Sequence, residues 1–297
     1  MKIPKICTDY IRAYIPRSDI YAGPNSETFT TGVLYENWVP NDHIIVKGND
    51  NCWHAYGITH PSTINMKHIH EAEWQSFHAS TKEGNFRDFF KEDSFEDKPK
   101  ILYPQDRPNE DKNQHSPAIV KKDGLYYMFY GPKTMRYAIS KDMYNWQPKG
   151  AVFEDVGSSR DPHIFYEDRV YYMTYCVDDY IVTRTSKDLI NWSDRTVIFR
   201  MRRSGSAESP VLLKYEDLYY LIWCLWDENE EDPDPYDPRS YVYASKNIMD
   251  FNEAELVAQL YAHCPEILID EFGNYYISSA HKPYRGINIA KLEWVEK

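Results

Sequence analysis

The chain has 297 residues, of which 42% are hydrophobic and 27% are charged, a composition typical of a globular protein and not of a disordered one. A formal net charge of −12 argues against the basic surface that nucleic acids require, so we expect no nucleic-acid partner. No apolar run is long enough to span a membrane. The N-terminus lacks the apolar core of a signal peptide, so we expect a cytoplasmic protein or an exported one whose leader has been removed.

The residue types point to strands and free thiols. Aromatic residues make up 15% of the chain and include 26 tyrosines, which favour strands and also form the flat surfaces on which sugars stack. The five cysteines show no metal-type spacing, and their odd number favours buried free thiols over a disulfide framework. The acidic stretch 227–237 is expected to form a solvated loop, and His68, His70 and His78 are expected to be surface or pocket-rim residues.

A hairpin pattern recurs five times along the chain. Each copy begins with a short apolar strand, turns at a polar or glycine-containing tip, and returns through an aromatic strand. In the second copy, Ser116-Pro-Ala-Ile-Val leads to Gly124-Leu-Tyr-Tyr-Met-Phe-Tyr. The five copies open near Asp42, Ser116, Asp161, Ser209 and Cys264.

Further strands follow each hairpin. A third strand in the second and third copies ends on a Ser-Lys-Asp sequence followed by Asn145-Trp146 and Asn191-Trp192. Three or four antiparallel strands repeated five times predict an all-β fold, a five-bladed β-propeller that forms a single domain over residues 1–297. Part of residues 1–40 is expected to close the last blade, because a closed ring leaves no unpaired edge.

Three of the five strand openings carry a carboxylate at the predicted inner ring: Asp42, Asp161 and Glu208. Acids crowded around an axis repel one another and lose hydration, so a purely structural propeller has little reason to collect them. Glycoside hydrolysis needs such a group, with one acid to protonate the leaving oxygen and one carboxylate to attack carbon or activate water. The structural alternative is that the three acids lie at solvated ends of the blades.

The motifs resemble those of the five-bladed propeller glycoside hydrolases, the invertase-like family 32 and the arabinanase- and xylosidase-like family 43. The resemblance rests on Trp38-Val-Pro-Asn41-Asp42, on Arg160-Asp161-Pro162 and on Ala207-Glu208-Ser209-Pro210, each opening a blade in the correct order. The chain departs from family 32 where His43 replaces a proline and Ile44-Ile45 replaces an Asn-Gly pair. It is therefore identified as a divergent member.

The resemblance implies roles for these residues. Asp42 would be the nucleophile of a retaining enzyme or the base of an inverting one, Glu208 the general acid, and Asp161 a group that orients the substrate and tunes Glu208. The expected bond is a terminal glycosidic one, with a fructoside or arabinofuranoside favoured, in an oligo- or polysaccharide. The predicted substrate-binding residues are Trp53, His54, His115, Arg160, Trp223, Trp226 and His263.

Several alternatives stay open. Arg160 could form a structural ion pair, and Trp223 could belong to the core. No cofactor is expected to be required, although an axial histidine in family 43 often helps to hold a central metal ion, which makes His263 a candidate ligand. A non-catalytic carbohydrate-binding propeller and a glycosyl-transferring relative are the competing functions.

Overall fold

The structure is a computed structural model that describes residues 1–16, 38–61, 72–202, 205–226 and 237–297. His68, His70 and nearly all of the acidic stretch named above lie outside these ranges. The described part of the chain consists of strands with two short 3₁₀ helices. It contains no helix with the length and apolar character that crossing a membrane would require.

The strands form five antiparallel sheets, which confirms the predicted five-bladed β-propeller. The chain begins with two strands that join the fifth blade, β1 (Lys2–Ile6) and β2 (Ile11–Tyr14). Blade one contains β3 (Trp38–Lys47), β4 (Trp53–Pro61), β5 (Gln75–Ser80) and β6 (Glu96–Ile101). Blade two contains β7 (His115–Lys122), β8 (Leu125–Gly131), β9 (Thr134–Ser140) and β10 (Gln147–Glu154).

The remaining blades repeat the same order of strands. Blade three contains β11 (Arg160–Glu167), β12 (Val170–Val177), β13 (Tyr180–Ser186) and β14 (Thr196–Arg200). Blade four contains β15 (Ser206–Tyr215), β16 (Leu218–Trp226), β17 (Arg239–Ser245) and β18 (Glu255–Tyr261). Blade five contains β19 (Ile267–Ile269), β20 (Tyr275–Ala280) and β21 (Ile287–Glu296), with β1 and β2 both paired to β21.

The turn between β7 and β8 shows why the sequence forms tight hairpins. Asp123 and Gly124 have φ angles of 50° and 79°, the left-handed conformations that a two-residue type I′ turn requires. Such a turn matches the twist of the two strands and leaves the aromatic strand β8 antiparallel to β7.

Irregular pairing marks the start of the inner strand in four blades. The register shifts between Pro40 and His43 in blade one, and at the equivalent point of β7, β11 and β15. Asp161 and Ser209 at these points have φ angles of 58° and 46°. A bulge re-aims side chains at the edge of a sheet. It accounts for the direction in which the opening residues of the blades project.

The Ser-Lys-Asp sequences form a polar turn after β9 and after β13. In the first of these turns, the Asp142 carboxylate accepts hydrogen bonds from the backbone N–H groups of Tyr144 and Asn145 and from the Asn145 side chain. The Trp146 indole N–H then donates to the Met143 carbonyl, at 3.2 Å. The turn after β13 repeats this pattern around Asp188. These bonds hold the tryptophan that follows each turn against the blade.

Hydrophobic clusters fill the spaces between neighbouring blades. Between blades three and four, Trp223 packs with Phe199 and Tyr241, with ring centroids 5.5 and 5.0 Å apart respectively. Between blades four and five, the rings of Tyr215 and Trp294 stack at 4.0 Å. The apolar residues are therefore buried between the blades, and the polar residues at the strand starts line the centre of the ring.

Candidate active site

The three carboxylates predicted from the sequence meet through two connecting residues. Ser209 donates a hydrogen bond from its hydroxyl to Asp42 Oδ1 and another, at 3.2 Å, from its backbone N–H to Asp161 Oδ2. Arg160 lies 3.5 Å from Asp161 Oδ2 through Nε and 3.2 Å from Glu208 Oε1 through Nη2. Residues from blades one, three and four thus form one polar network.

Burial separates the two aspartates from the glutamate. Asp42 and Asp161 are 5% and 2% exposed, whereas 14% of the Glu208 side chain is accessible. The Oδ1 atom of Asp161 is buried and has no hydrogen-bond partner among the described residues. A buried acceptor without a partner is costly, so this oxygen is suited to accept a hydrogen bond from a hydroxyl group of a ligand.

The electrostatics of the network favour the protonated forms of Asp161 and Glu208. Burial and the negative charge of Asp42 raise the pKa of Asp161 to about 7. Burial also raises the pKa of Glu208 well above its ordinary value, with Arg160 opposing the shift and Asp42 adding to it. Burial disfavours the charge on Arg160, but Asp161 and Glu208 outweigh it and raise the pKa of the guanidinium. The raised pKa of Glu208 favours the protonated form, which is the form that a general acid needs.

An open cavity of about 730 Å³ lies beside Glu208. His115, Lys133, Arg160 and Trp226 also line it, together with Asp178 and Asp179, so the cavity combines basic side chains, three carboxylates and an indole ring. This volume is within the range of small-molecule sites. Of the predicted substrate-binding residues, His115, Arg160 and Trp226 border this cavity.

Glu73 is a site residue that the sequence motifs did not reveal. Its carboxylate lies 3.1 Å from Nε2 of His115, and its side chain is 2% exposed. Glu73 precedes β5 and belongs to none of the repeated strand openings, so the alignment of the blades gave no signal for it. It therefore lies beside His115 at the edge of the cavity.

Trp53 and His54 lie away from the site, contrary to the sequence prediction. Trp53 opens β4 and pairs with Lys47 at the far end of β3, because the second strand of a hairpin starts at its tip. Trp53 is packed in the core beside Phe86, with ring centroids 4.8 Å apart. His54 is fully buried, and its Nε2 lies 3.2 Å from the Asp50 carboxylate.

Trp223 is also outside the site, in the hydrophobic cluster between blades three and four described above. Successive residues of a strand project to opposite faces, and Trp223 precedes Cys224, the residue that pairs with Glu208. The core alternative for Trp223 is therefore correct. Trp226 stands three residues later, at the end of β16, and reaches the cavity.

His263 is fully buried next to two thiols. Its Nε2 lies 3.1 Å from Cys264 Sγ, which lies 3.7 Å from Cys224 Sγ. Burial opposes a charge on the imidazole, but the Cys224 thiol raises the pKa of His263 to about 9. The Cys224 thiol in turn lies 3.7 Å from the Glu208 carbonyl, so the cluster adjoins the acidic network.

Glu266 adds a fourth acid to the surroundings of Asp42. Burial, together with the charge of Asp42, raises the pKa of Glu266 to about 8. Its backbone N–H donates a hydrogen bond to Ser278 Oγ, at 3.1 Å. Glu266 stands two residues after Cys264, outside the aligned strand openings, so the repeat does not identify it as a member of the ring.

No family model matches the chain. It is 28% identical over 220 residues to a 1,2-β-oligomannan phosphorylase of Thermoanaerobacter sp. (strain X514). The match covers 68% of this chain and 65% of that protein, so the chain spans less than two thirds of its relative.

Solved structures resemble the chain over most of its length. A thermostable family-43 glycoside hydrolase superposes with a TM-score of 0.64 at 14% identity, covering 89% of this chain and 91% of that one. The α-L-arabinanase of Cellvibrio cellulosa, solved with arabinohexaose, gives 0.57 at 17% identity, with coverages of 86% and 91%. The family-32 β-fructofuranosidase of Bombyx mori gives 0.62 at 15% identity, with coverages of 85% and 60%. The protein has the fold of the propeller glycoside hydrolases.

Proposed function

We propose that this protein cleaves glycosidic bonds of an oligo- or polysaccharide by hydrolysis. The observation that carries the proposal is the joining of Asp42, Asp161 and Glu208 from three blades, with Glu208 bordering an open cavity. A binding site for neutral sugars has no need for three linked carboxylates, whose mutual repulsion is costly. Cleavage of a glycosidic bond does need two of them, one as general acid and one as nucleophile or base.

Each residue of the site has a different role in the proposed reaction. Glu208 transfers its proton to the leaving oxygen as the glycosidic bond breaks, which its raised pKa favours. Asp42 either attacks the anomeric carbon or removes a proton from the water that does so. Asp161 accepts a hydrogen bond from a sugar hydroxyl at its unpartnered Oδ1, and Trp226 offers a ring on which a sugar can stack.

Substrates with a terminal furanoside are the first choice for testing. The structural relatives include an arabinanase solved with arabinohexaose and a β-fructofuranosidase, and both support arabinofuranosides and fructosides as candidates. The phosphorylase similarity adds β-1,2-linked oligomannosides to the panel.

Phosphorolysis is the second candidate, because His115, Lys133 and Arg160 line the same cavity. A phosphate oxygen would then attack the anomeric carbon in place of water, and the product would be a sugar 1-phosphate. The similarity to an oligomannan phosphorylase supports this alternative. A Lys133→Ala substitution separates the two reactions, because it removes a cation that phosphate needs and water does not.

The test is an assay of aryl furanosides, arabino-, fructo- and mannooligosaccharides, each with and without inorganic phosphate. Free reducing sugar without phosphate, absent in Glu208→Gln, is expected for a hydrolase. Sugar 1-phosphate that requires phosphate and falls in Lys133→Ala would assign phosphorolysis instead. Binding of these oligosaccharides without any turnover would assign the non-catalytic alternative.

A further inference from the structure

Three metal-ligand side chains converge in the ring beside the acidic network. Cys224, His263 and Cys264 place their donor atoms within 4.8 Å of one another, and all three residues are buried. Cys224 comes from the second strand of blade four, whereas the other two open blade five. The sequence spacing of the cysteines did not reveal this site because its ligands come from different blades.

We propose that Cys224, His263 and Cys264 form a binding site for a thiophilic divalent cation of the Zn²⁺ type. Two sulfurs and one imidazole are soft and borderline donors, which select such ions over Ca²⁺ or Mg²⁺, whose ligands are oxygens. The donor set therefore differs from the single axial histidine that the sequence resemblance suggested.

The spacing of the two sulfurs fits a tetrahedral ion. Zinc–sulfur bonds of about 2.3 Å at a tetrahedral angle place two sulfurs about 3.8 Å apart. The Sγ atoms of Cys224 and Cys264 are 3.7 Å apart, so a cation can bind both without a change in the positions of the strands. Three protein ligands leave the fourth position open to a further ligand.

The second nitrogen of His263 is already held in the orientation that a metal ligand needs. Its Nδ1 lies 3.1 Å from the Asp237 carbonyl, which can only accept, so Nδ1 donates and Nε2 is the atom that faces the thiols. A histidine that donates its outer N–H to a carbonyl is the usual arrangement around a protein-bound metal.

Charge balance supports a divalent ion. Two cysteine thiolates and a neutral imidazole carry two negative charges in a buried place, and a divalent cation neutralises them. The cation takes the place of the protons on the thiols and on Nε2. It links blade four to blade five next to Glu208, whose carbonyl is 3.7 Å from Cys224 Sγ.

The test uses Co²⁺ as a spectroscopic probe on the full chain, reduced and freed of metal with a chelator. One equivalent of Co²⁺ is expected to give a sulfur-to-cobalt charge-transfer band with intense tetrahedral d–d bands, which Zn²⁺ then removes. Cys224→Ser and Cys264→Ser should lose the charge-transfer intensity. His263→Gln should weaken Co²⁺ binding at least about tenfold.

Cys176→Ser is the matched control. Cys176 is fully buried and pairs with Arg160, as Cys224 pairs with Glu208, so the two cysteines are equivalent in neighbouring blades. Its spectrum with Co²⁺ should be that of the wild type. Zn²⁺ should also raise the melting temperature of the wild type, a measurement that needs no variant to fold.

Three results would overturn the site: no charge-transfer band in the reduced wild type, an undiminished band in Cys224→Ser, or a wild-type melting temperature that Zn²⁺ leaves unchanged. The proposed site would also be overturned if Cys224 and Cys264 formed a disulfide that a reductant does not break. None of these results depends on glycosidase activity, so the metal site and the proposed function fail or succeed separately.

Discussion

The hydroxyl group of Ser209, at the start of blade four, donates a hydrogen bond to the carboxylate of Asp42 in blade one. Blade five separates these two blades in the ring, so the bond joins strand starts that are not neighbours. Ser209 therefore fixes the orientation of the Asp42 carboxylate, which the proposed role of Asp42 as a nucleophile or a general base requires.

We predict that Ser209→Ala lowers kcat/KM by about 10- to 100-fold, the effect of losing one hydrogen bond to a charged group. The backbone N–H that contacts Asp161 stays, so the loss should come from Asp42. Ser116→Ala, at the equivalent position of blade two, is the control, and an unchanged kcat/KM in Ser209→Ala would contradict this role.

We predict that Asp42→Asn and Glu208→Gln each remove more than about 99% of the activity while the fold is retained. In the proposed mechanism, each variant loses a carboxyl group that takes part in bond cleavage, while its side chain keeps nearly the same shape. Asp168→Asn and Glu216→Gln are the matched controls, because both acids are exposed at the hairpin tips, far from the strand starts. Turnover near the wild-type level in Asp42→Asn or Glu208→Gln, measured on a good substrate, would remove that residue from the mechanism.

Asp161 makes the stability of the protein depend on pH. Its pKa is raised to about 7 in the fold, against about 3.9 for an unfolded chain. Between these values the folded state holds a proton that the unfolded state has lost, so the free energy of unfolding falls as pH rises through this window. Above about pH 7 the contribution is constant.

The Asp161→Asn variant should therefore lack the contribution of Asp161 to the pH dependence of the free energy of unfolding. Urea unfolding at pH 4.5 and pH 8 is expected to show the wild type losing more stability than the variant, by an amount on the order of a few kcal/mol. Asp168→Asn should retain the wild-type slope. If Asp161→Asn and the wild type lose the same stability, the raised pKa is incorrect.

The polar turn after β9 should matter for stability and not for catalysis. Asp142 has its pKa lowered to about 2, since the hydrogen bonds from Asn145 and Tyr144 outweigh the effect of burial. Asp142→Ala should lower the melting temperature at pH 7 by about 2–4 °C, the effect of losing roughly 1 kcal/mol. The difference in melting temperature between the wild type and Asp142→Ala should become smaller as pH falls from about 4 towards 2, because the carboxylate takes up a proton in this range. Lys141→Ala, in the same turn, is the control, and an equal loss there would contradict the assignment.

The fold could be predicted because each blade repeats a pattern of local interactions. Alternating apolar residues and tight turns such as that at Asp123 specify a hairpin within about twenty residues, and five similar hairpins in one chain specify a ring. The convergence of Asp42, Asp161 and Glu208 followed from the same regularity, because equivalent strand starts meet at one end of the axis.

The details of the site depend on information that the repeat does not contain. Trp53 is near Asp42 in sequence, but it stands at the tip of the hairpin and so at the opposite end of the blade. Glu73 reaches His115 from the segment between β4 and β5, which is not part of the repeated hairpin. The bond between Ser209 and Asp42 depends on bulges whose exact geometry the residue types do not specify.

The pairing of β1 with β21 brings Lys2 opposite Glu296. During synthesis on the ribosome, β1 is made long before its partner and has to remain unpaired while the intervening blades emerge. Two of its five residues are lysines, Lys2 and Lys5, and their charges help to keep the unpaired strand soluble. The fifth blade, and with it the positions of His263 and Cys264, can therefore be completed only after β21 has left the ribosome.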